Sequence, residues 1–144
     1  MDVATSAEAV VEAATLFDHP IDLAATHAFL VDERHHLLIG YLEERPAGFV
    51  TAVELLHPDK PQPEMFLYEL GVDEDYRRRG VATALMNRLM KLCHERGCGE
   101  MFVLTEADND AARATYAKAG GNEESAGVLF AWDWRSQGHR GQGR

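Results

Sequence analysis

The sequence predicts a single α/β domain in which helices flank a mixed central sheet, and three observations lead to this prediction. The chain has 144 residues, of which 46% are hydrophobic and 26% charged, which is the length and composition of one globular domain. The first half passes from a helical to a two-residue hydrophobic period, which is typical of helices followed by a β-meander. The second half alternates strand and helix, so one strand pair must be parallel across a connecting helix.

Two helices are expected before the first strand. Residues 6–17 place apolar side chains on one stripe behind Ser6, which is a suitable N-cap. A turn at Pro20 then separates them from a shorter helix over residues 23–30.

Three β-like runs follow the helices. Residues 36–42 and 47–56 read as strands joined by a hairpin connection at 43–46. Residues 57–63 contain three of the five prolines, which predicts a loop. Residues 65–72 are nearly all apolar, which predicts a central strand buried on both faces.

The remaining elements alternate. A helix over 81–95, ended by Gly97, is followed by a strand over 101–105. A second helix is capped by Asp108 or Asn109 and runs to Ala119, where Gly120 and Gly121 end it. A last strand is expected over 128–134. We assign residues 1–134 to the domain and residues 135–144 to a polar C-terminal tail.

Charge is distributed unevenly along the chain. The formal net charge is −10; residues 1–76 carry 16 acidic and 3 basic side chains, and residues 77–144 carry 8 acidic and 11 basic ones. This balance argues against a general nucleic-acid binder, which needs clustered cations. The acidic half would attract a cationic substrate, or it serves only to keep the protein soluble.

Other classes are disfavoured by what the sequence lacks. No apolar run approaches 18 residues, so no membrane contact is expected. No secretory signal precedes the first helix, and Cys93 and Cys98 are expected to be reduced thiols, so we expect a cytoplasmic protein. The seven histidines are scattered without metal-ligand spacing, so no metal is expected.

The strongest local signal is the segment from Arg77 through Arg78, Arg79, Gly80 and Val81 to Ala82, between a strand and a helix. A helix N-terminus offers unpaired N–H groups and the positive end of the helix dipole. The glycine permits close backbone approach, and the arginines add donors suited to phosphate. Together they predict an anion site, most naturally for a pyrophosphate, although a solvated basic turn gives the same pattern.

This segment resembles the acetyl-CoA-binding signature of the GNAT acyltransferase superfamily, [Q/R]xxGx[G/A], with Arg77, Gly80 and Ala82 at its three defined positions. A second family landmark, an Asn near the start of a later helix and a Tyr along it, is matched by Asn109 and Tyr116. The resemblance covers residues 36–134. It implies a V-shaped mixed sheet, an acetyl-CoA site over residues 77–83 that includes Thr83, and pantetheine contacts at Leu70, Gly71 and Val72.

A narrower resemblance is to the aminoglycoside 3-N-acetyltransferases. It rests on residues 65–72, residues 101–109 and the closing Trp132-Asp133-Trp134. It implies acetylation of a primary amine of an aminoglycoside by direct attack in a ternary complex. A polyamine, a protein amine, or a CoA-binding module without catalysis remain alternatives. The resemblance also implies a homodimer formed through the last strands.

Two residues are candidates for catalysis. Glu69 is a carboxylate within an apolar strand, and a desolvated carboxylate is a stronger base, although a glutamate reaching solvent at a splayed strand end fits equally. In the resembling enzymes an acidic residue at this place faces the acceptor. The resemblance makes Tyr116 the proton donor to the departing thiolate, and core packing is its alternative role.

The acceptor, a small cationic amine, is expected to meet acidic side chains. The acidic candidates are Glu69, Asp108, Asp110, Glu123 and Glu124, and Tyr68, next to Glu69, is a candidate for shaping the acceptor cleft. A merely solvated acidic rim is the competing interpretation for the four loop acids, and core packing is the competing interpretation for Tyr68.

Overall fold

A computed structural model of the protein describes residues 2–3, by backbone alone, and residues 6–124 and 127–135. Its five strands form one mixed sheet in sequence order. They are β1 (Asp2–Val3), β2 (His35–Leu42), β3 (Arg45–His57), β4 (Lys60–Val72) and β5 (Glu100–Val103). The first four pair antiparallel, and β5 runs parallel to β4. The predicted α/β fold with a mixed sheet is confirmed.

Four helices flank this sheet. They are α1 (Ala7–Glu12), α2 (Leu23–Val31), α3 (Val81–Glu95) and α4 (Asp110–Lys118). Ser6 caps α1 as predicted, since its hydroxyl accepts a hydrogen bond from the Ala9 N–H at 3.3 Å. The single helix predicted over residues 6–17 is wrong, because α1 ends at Glu12 and a short 3₁₀ turn follows over Ala14–Leu16.

The two faces of the sheet are covered to different extents. On one face, Leu38, Val50 and Leu67 pack with Leu85 and Leu89 of α3 in the main core. On the other face, α1 and α2 cover β2 and β3 through a second cluster. That second cover does not extend over β4 and β5, and we call this uncovered area the open face.

The turns of the meander are tighter than the sequence predicted. Glu43 and Glu44, with φ of 54° and 65°, alone connect β2 to β3, instead of the predicted residues 43–46. The loop predicted over 57–63 is also wrong, because β4 begins at Lys60. Pro61 and Pro63 are tolerated in this strand because β5 pairs with β4 only from Glu64 onward.

The strand predicted over residues 65–72 lies within β4, but its expected burial on both faces is wrong. Met65 and Leu67 are buried against α3, whereas Tyr68 and Glu69 are exposed. The reason is the open face, which leaves the side chains of Tyr68 and Glu69 without a covering element.

The second half follows the predicted order as far as α4. The bounds of α3 match the prediction, and Gly97, with φ of 74°, follows its end. The last strand, predicted over 128–134, is wrong, because residues 127–135 belong to no strand and their apolar side chains are exposed. Residues 136–144 of the predicted tail lie outside the described residues. Within the described ranges, no helix is long and apolar enough to cross a membrane.

Candidate active site

The N-terminus of α3 lies where β3 begins and β4 ends, and two glycines determine how it packs there. A Cβ on Gly48 would come within 2.9 Å of the Val81 side chain, so only glycine lets the first turn of α3 pack so closely on the sheet. Gly80 caps α3 in the left-handed region with φ of 81°, and a Cβ there would point into open space. That space is available to a ligand, as the anion-site prediction requires.

The first turn of α3 presents unpaired donors to this space. The first helical hydrogen bond from its N-terminus joins the Ala84 N–H to the Gly80 carbonyl at 3.0 Å. In the described part of the chain, no side chain caps the helix. The N–H groups of Val81, Ala82 and Thr83 therefore remain for an anion.

The three arginines surround this turn and are exposed. Arg78 adopts φ of 64°, and Arg79 forms an ion pair with Glu43 of the β2–β3 turn at 3.4 Å. Exposed ion pairs of this kind contribute little stability, so Arg79 can exchange its partner for a phosphate. Positive charge and helix N–H groups together fit the diphosphate part of CoA.

The strands β4 and β5 separate beside this turn. Their pairing ends at Leu67 and Val103, and β4 continues to Val72. The Asp73 N–H bonds to the Ala47 carbonyl, toward β3. By strand alternation, the backbone polar groups of Leu70 and Val72 point away from β3, into the gap left by β5. This gap is the opening of the V-shaped sheet, and it suits the pantetheine arm.

Glu69 lies on the open face, not in the buried surroundings that its apolar neighbours suggested. Its side chain is exposed to solvent and is not enclosed by the apolar side chains of its own strand. One of its carboxylate oxygens, Oε1, accepts a hydrogen bond from the hydroxyl of Thr51 on β3 at 2.9 Å. The exposure of Glu69 thus agrees with the alternative interpretation, in which a glutamate reaches solvent where the strands separate.

Tyr116 and Asn109 lie on α4, which packs against α3. Tyr116 is half-buried at the edge of the main core, and burial raises the pKa of its phenol above the ordinary value. The side-chain oxygen of Asn109 caps α4 by accepting from the Ala112 N–H at 3.0 Å. Tyr116 therefore keeps its proton at physiological pH, which a proton donor requires.

Of the four acids expected in loops, Asp108, Glu123 and Glu124 flank α4, whereas Asp110 is its first residue, and all four are exposed. Helix α4 begins at the same end of the sheet as Glu69 because β4 and β5 are parallel. Glu123 is engaged by Arg113 through two hydrogen bonds of 2.8 and 3.0 Å, so its charge is partly neutralised. Asp108, Asp110 and Glu124 show no such side-chain pairing among the hydrogen bonds and ion pairs of residues 6–124 and 127–135. Tyr68 is exposed and meets Phe66 edge to face, so core packing is not its role.

Acidic side chains also gather on the other side of the site, which the sequence did not reveal. A cavity of about 430 Å³ lies between the β2–β3 turn, the end of β4 and α1. It is lined by Glu12, Thr15, Glu44, Arg45, Pro46, Asp73, Asp75 and Tyr76. Four carboxylates against one guanidinium make this part of the surface attractive to cations.

The cysteines do not offer a nucleophile near this site. Both are free thiols, and burial raises the pKa of Cys93 to about 12. Burial also raises the pKa of Cys98. Because the thiolate is the reactive form, neither side chain is activated at neutral pH. The described residues also contain no group of three or more His, Cys, Asp or Glu placed to hold a metal ion.

The opposite end of the sheet holds a buried charged cluster that sequence reasoning also missed. Glu54 of β3 is 5% exposed, and its Oε2 accepts from His36 Nε2 and from Arg96 Nε, each at 2.6 Å. This cluster joins β2, β3 and the end of α3. We call it the anchored end of the sheet, and we call the end that carries Glu69 and Gly80 the site end.

Comparison with known sequences identifies one family. Residues 7–121 match the model of the family described as "Acetyltransferase (GNAT) family". An acetyltransferase of Sodalis glossinidius is 47% identical over 51 residues, covering 35% of this chain and 36% of that protein. Human N-acetyltransferase 8 is 24% identical over 107 residues, covering 74% of this chain and 47% of that protein. This chain thus spans about a third to a half of the curated relatives it matches.

Comparison with solved structures gives the same fold. An aminoglycoside acetyltransferase, HMB0005, from an uncultured soil metagenomic sample superposes with a TM-score of 0.77 and 26% identity, covering 92% of this chain and 98% of that chain. A second metagenomic aminoglycoside acetyltransferase, in complex with sisomicin, has a TM-score of 0.74 and 23% identity, covering 81% and 76%. An aminoglycoside N-acetyltransferase of the 6′ type, in complex with CoA, has a TM-score of 0.73 and 23% identity, covering 92% and 98%.

Proposed function

We propose that this chain, which belongs to the GNAT acetyltransferase family, is an acyltransferase that acetylates a primary amine of an aminoglycoside with acetyl-CoA. The observation that carries this proposal is the conjunction, at the site end, of an open α3 N-terminus, a gap between β4 and β5, and an exposed carboxylate beside that gap. The first two features suit the cofactor, and the third suits a cationic acceptor.

Acetyl-CoA would be held by residues 77–83 and by the backbone of Leu70, Gly71 and Val72. The N–H groups of Val81, Ala82 and Thr83, with Arg77, Arg78 and Arg79, suit its phosphates. When bound, acetyl-CoA supplies an activated thioester acyl group. Asn109 lies at the start of α4, where its side chain already accepts the Ala112 N–H.

Two side chains divide the proton chemistry. The acceptor amine arrives as an ammonium ion and must lose a proton before it can attack, and Glu69 takes that proton directly or through a water molecule. Tyr116 then gives its proton to the departing thiolate. The raised pKa of Tyr116 keeps that proton available throughout the neutral range. Because burial raises the pKa of both cysteine thiols and so keeps them protonated, direct attack fits better than a covalent acyl-enzyme.

The choice of an aminoglycoside as acceptor rests on charge and on the similarity to solved aminoglycoside acetyltransferases. An aminoglycoside carries several ammonium groups, which suit Glu69, Asp108, Asp110 and Glu124, with Glu123 shared with Arg113. Tyr68, exposed beside Glu69, offers an aromatic surface to a sugar ring. Acetylation at the 3-N position rests on the sequence resemblance; a polyamine or a protein amine is the alternative acceptor class.

A thiol-release assay across three acceptor classes tests the proposal. Purified enzyme is given acetyl-CoA with gentamicin, spermidine or a lysine-containing peptide, and kcat/KM is compared. We expect gentamicin to give the highest value, and NMR of the product to show the acetyl group on the 3-amine. Turnover of peptide or polyamine without any aminoglycoside would overturn the acceptor and leave the acetyltransferase activity in place. Acetylation at the 6′ amine would overturn only the position.

We also propose that the protein is a cytoplasmic homodimer, in which residues 127–135 of each copy pack against the other copy. This is supported by Val128, Leu129, Phe130, Trp132 and Trp134, which are 69–83% exposed, far more apolar surface than an isolated chain usually leaves in one segment. It is also supported by β5, which lies at the edge of the sheet in the described part of the chain. Light scattering should give a dimer mass for the protein and a monomer mass for W132S/W134S; a monomer mass for both would overturn the proposal.

A further inference from the structure

A buried hydroxyl lies beside the carboxylate of the site. Thr51 on β3 is 7% exposed and is one of three buried polar side chains, with His36 and Glu54, in the described ranges. His36 and Glu54 bond to each other at the anchored end, whereas the hydroxyl of Thr51 donates to Glu69 Oε1 at 2.9 Å. Buried polar groups persist where they are paired, so this bond accounts for a threonine in the sheet interior.

A β-bulge brings these two side chains together. Ala52 pairs with Leu67, and a regular ladder would then set Thr51 opposite Tyr68. The register shifts between Thr51 and Ala52, so Thr51 pairs with Glu69 and Tyr68 becomes the extra residue. Directly opposed residues have their Cβ atoms about 5 Å apart, which is within reach of a hydrogen bond between a threonine and a glutamate. The bulge therefore selects which side chain of β4 meets Thr51.

The hydrogen bond restricts the side chain of Glu69. An exposed glutamate samples several rotamers, and a fixed donor on one oxygen restricts them while leaving the other oxygen to meet the acceptor. The donor is fixed because Thr51 is itself buried in the sheet.

We propose that Thr51 is a positioning residue that holds the Glu69 carboxylate in one rotamer, toward the acceptor at the site end. This inference rests on the proposed function of Glu69 and extends it to a residue on another strand. The bulge at Tyr68 sets the register, so that β4 supplies the base, Glu69, and β3 supplies the hydroxyl of Thr51 that orients it.

The test compares Thr51→Val, which removes the hydroxyl at nearly constant shape, with Thr51→Ser, which retains it. We expect Thr51→Val to lower kcat about tenfold, less than the 10²–10⁴-fold that a whole general base contributes. The KM for acetyl-CoA should not change. Thr51→Ser should recover most of the loss. Thr26→Val, the same change on α2, controls for a general effect of losing a hydroxyl.

The double variant separates this inference from the proposed function. If Glu69→Gln lowers kcat and Thr51→Val adds no further loss to it, Thr51 acts through Glu69. If Glu69→Gln lowers kcat but Thr51→Val matches the parent in kcat, the inference is wrong and the function of Glu69 stands. If Glu69→Gln itself has no effect, the base assignment fails, and with it the positioning role. The ¹³C carboxylate signal of Glu69, which Thr51→Val should shift, reports the hydrogen bond without any substrate.

Discussion

Glu54 and Glu69 lie on neighbouring strands and accept hydrogen bonds from protein donors, yet their surroundings differ. Glu54, at the anchored end, is 5% exposed and meets both His36 and Arg96 at 2.6 Å. Glu69, at the site end, is exposed and meets Thr51 at 2.9 Å. The first carboxylate is surrounded by protein, and the second has one side open to a ligand.

This difference shows how one sheet can hold both a carboxylate that stabilises the fold and a carboxylate that is open to a ligand. A buried carboxylate needs full compensation, because losing one partner of a buried pair costs about 3–5 kcal/mol. A carboxylate buried in this way is closed to a substrate. A carboxylate with one donor and an open side costs little to maintain, and it can change protonation during a reaction. Removing the carboxylate should therefore lower activity at the site end and stability at the anchored end.

The largest expected effect is at Glu69. Glu69→Gln should lower kcat about 10²–10⁴-fold, most strongly at low pH, because the protonated amine then depends on the base. The midpoint of thermal unfolding should stay close to that of the parent, since the side chain is exposed. Steady-state kinetics between pH 6 and 9 and thermal unfolding measure the two quantities. Glu100→Gln, on β5 at the anchored end, is the matched control and should change neither.

Glu54 should show the reverse pattern. Glu54→Leu leaves His36 and Arg96 without their acceptor and should lower the free energy of unfolding by about 3 kcal/mol, near the lower limit for buried pairs because Arg96 is partly exposed. Below the unfolding transition, kcat should be unchanged. Urea denaturation gives the stability. A stable Glu54→Leu variant that has lost activity would contradict the division between the two ends.

Tyr116 tests the proton donor of the site end. Tyr116→Phe should lower kcat about 10²-fold with little change in acetyl-CoA affinity. Because burial raises the pKa of Tyr116, its phenol stays protonated past the pH where an exposed tyrosine ionises. The parent kcat should thus show no loss from this group up to about pH 10, the ordinary tyrosine value. A basic limb near neutral pH that disappears in Tyr116→Phe would contradict this assignment.

The two ends of α3 offer a matched pair of glycines. Gly80 at its start and Gly97 after its end both have positive φ, of 81° and 74°, and a Cβ at either would meet open space. Gly80→Val and Gly97→Val should therefore impose similar backbone strain. Acetyl-CoA at 100 times its dissociation constant should stabilise the parent and Gly97→Val by about 2.7 kcal/mol, and Gly80→Val far less. Equal ligand-induced shifts in both variants would show that the phosphates bind elsewhere.

The smallest effect is expected from the acceptor carboxylates. The double variant Asp110→Asn/Glu124→Gln should raise KM for gentamicin about threefold to tenfold, and added salt should weaken binding of the parent in the same direction. The KM for acetyl-CoA should not move. Glu95→Gln/Glu100→Gln removes the same charge at the anchored end and is the control. An identical rise in KM in the control would show that the effect comes from the net charge of the protein and not from these two positions.

Much of the fold could be predicted because its signals are local. The bounds of α3 follow from its apolar face and from glycines at both ends, and those of α4 follow from Asn109 and Gly120. The basic turn at the start of α3 was predictable for the same reason, since its residues are consecutive. The strand at 128–134 was not, because an apolar run records a tendency to extend and cannot record whether a partner strand lies beside it.

The candidate site was predictable only in part. Glu69 was identified as an acid in an apolar run, but its predicted burial was wrong, because whether an element covers β4 depends on the lengths and positions of α1 and α2. Thr51 gave no sequence signal at all: it is one threonine in an apolar strand, 18 residues before its partner. Only a prediction of the bulge at Tyr68 would have pointed to it.

By itself, the sequence determined the α/β order of elements, the position and polarity of α3, and the basic turn at its start, because caps, periodicity and glycine conformations act over a few residues. The tertiary structure decided which carboxylate is buried and which is open, and it decided that Thr51 meets Glu69. Those outcomes depend on strand register and on which helix covers which face. Register is set by the sum of pairings along β3 and β4, so one extra residue, Tyr68, changes which side chains face each other.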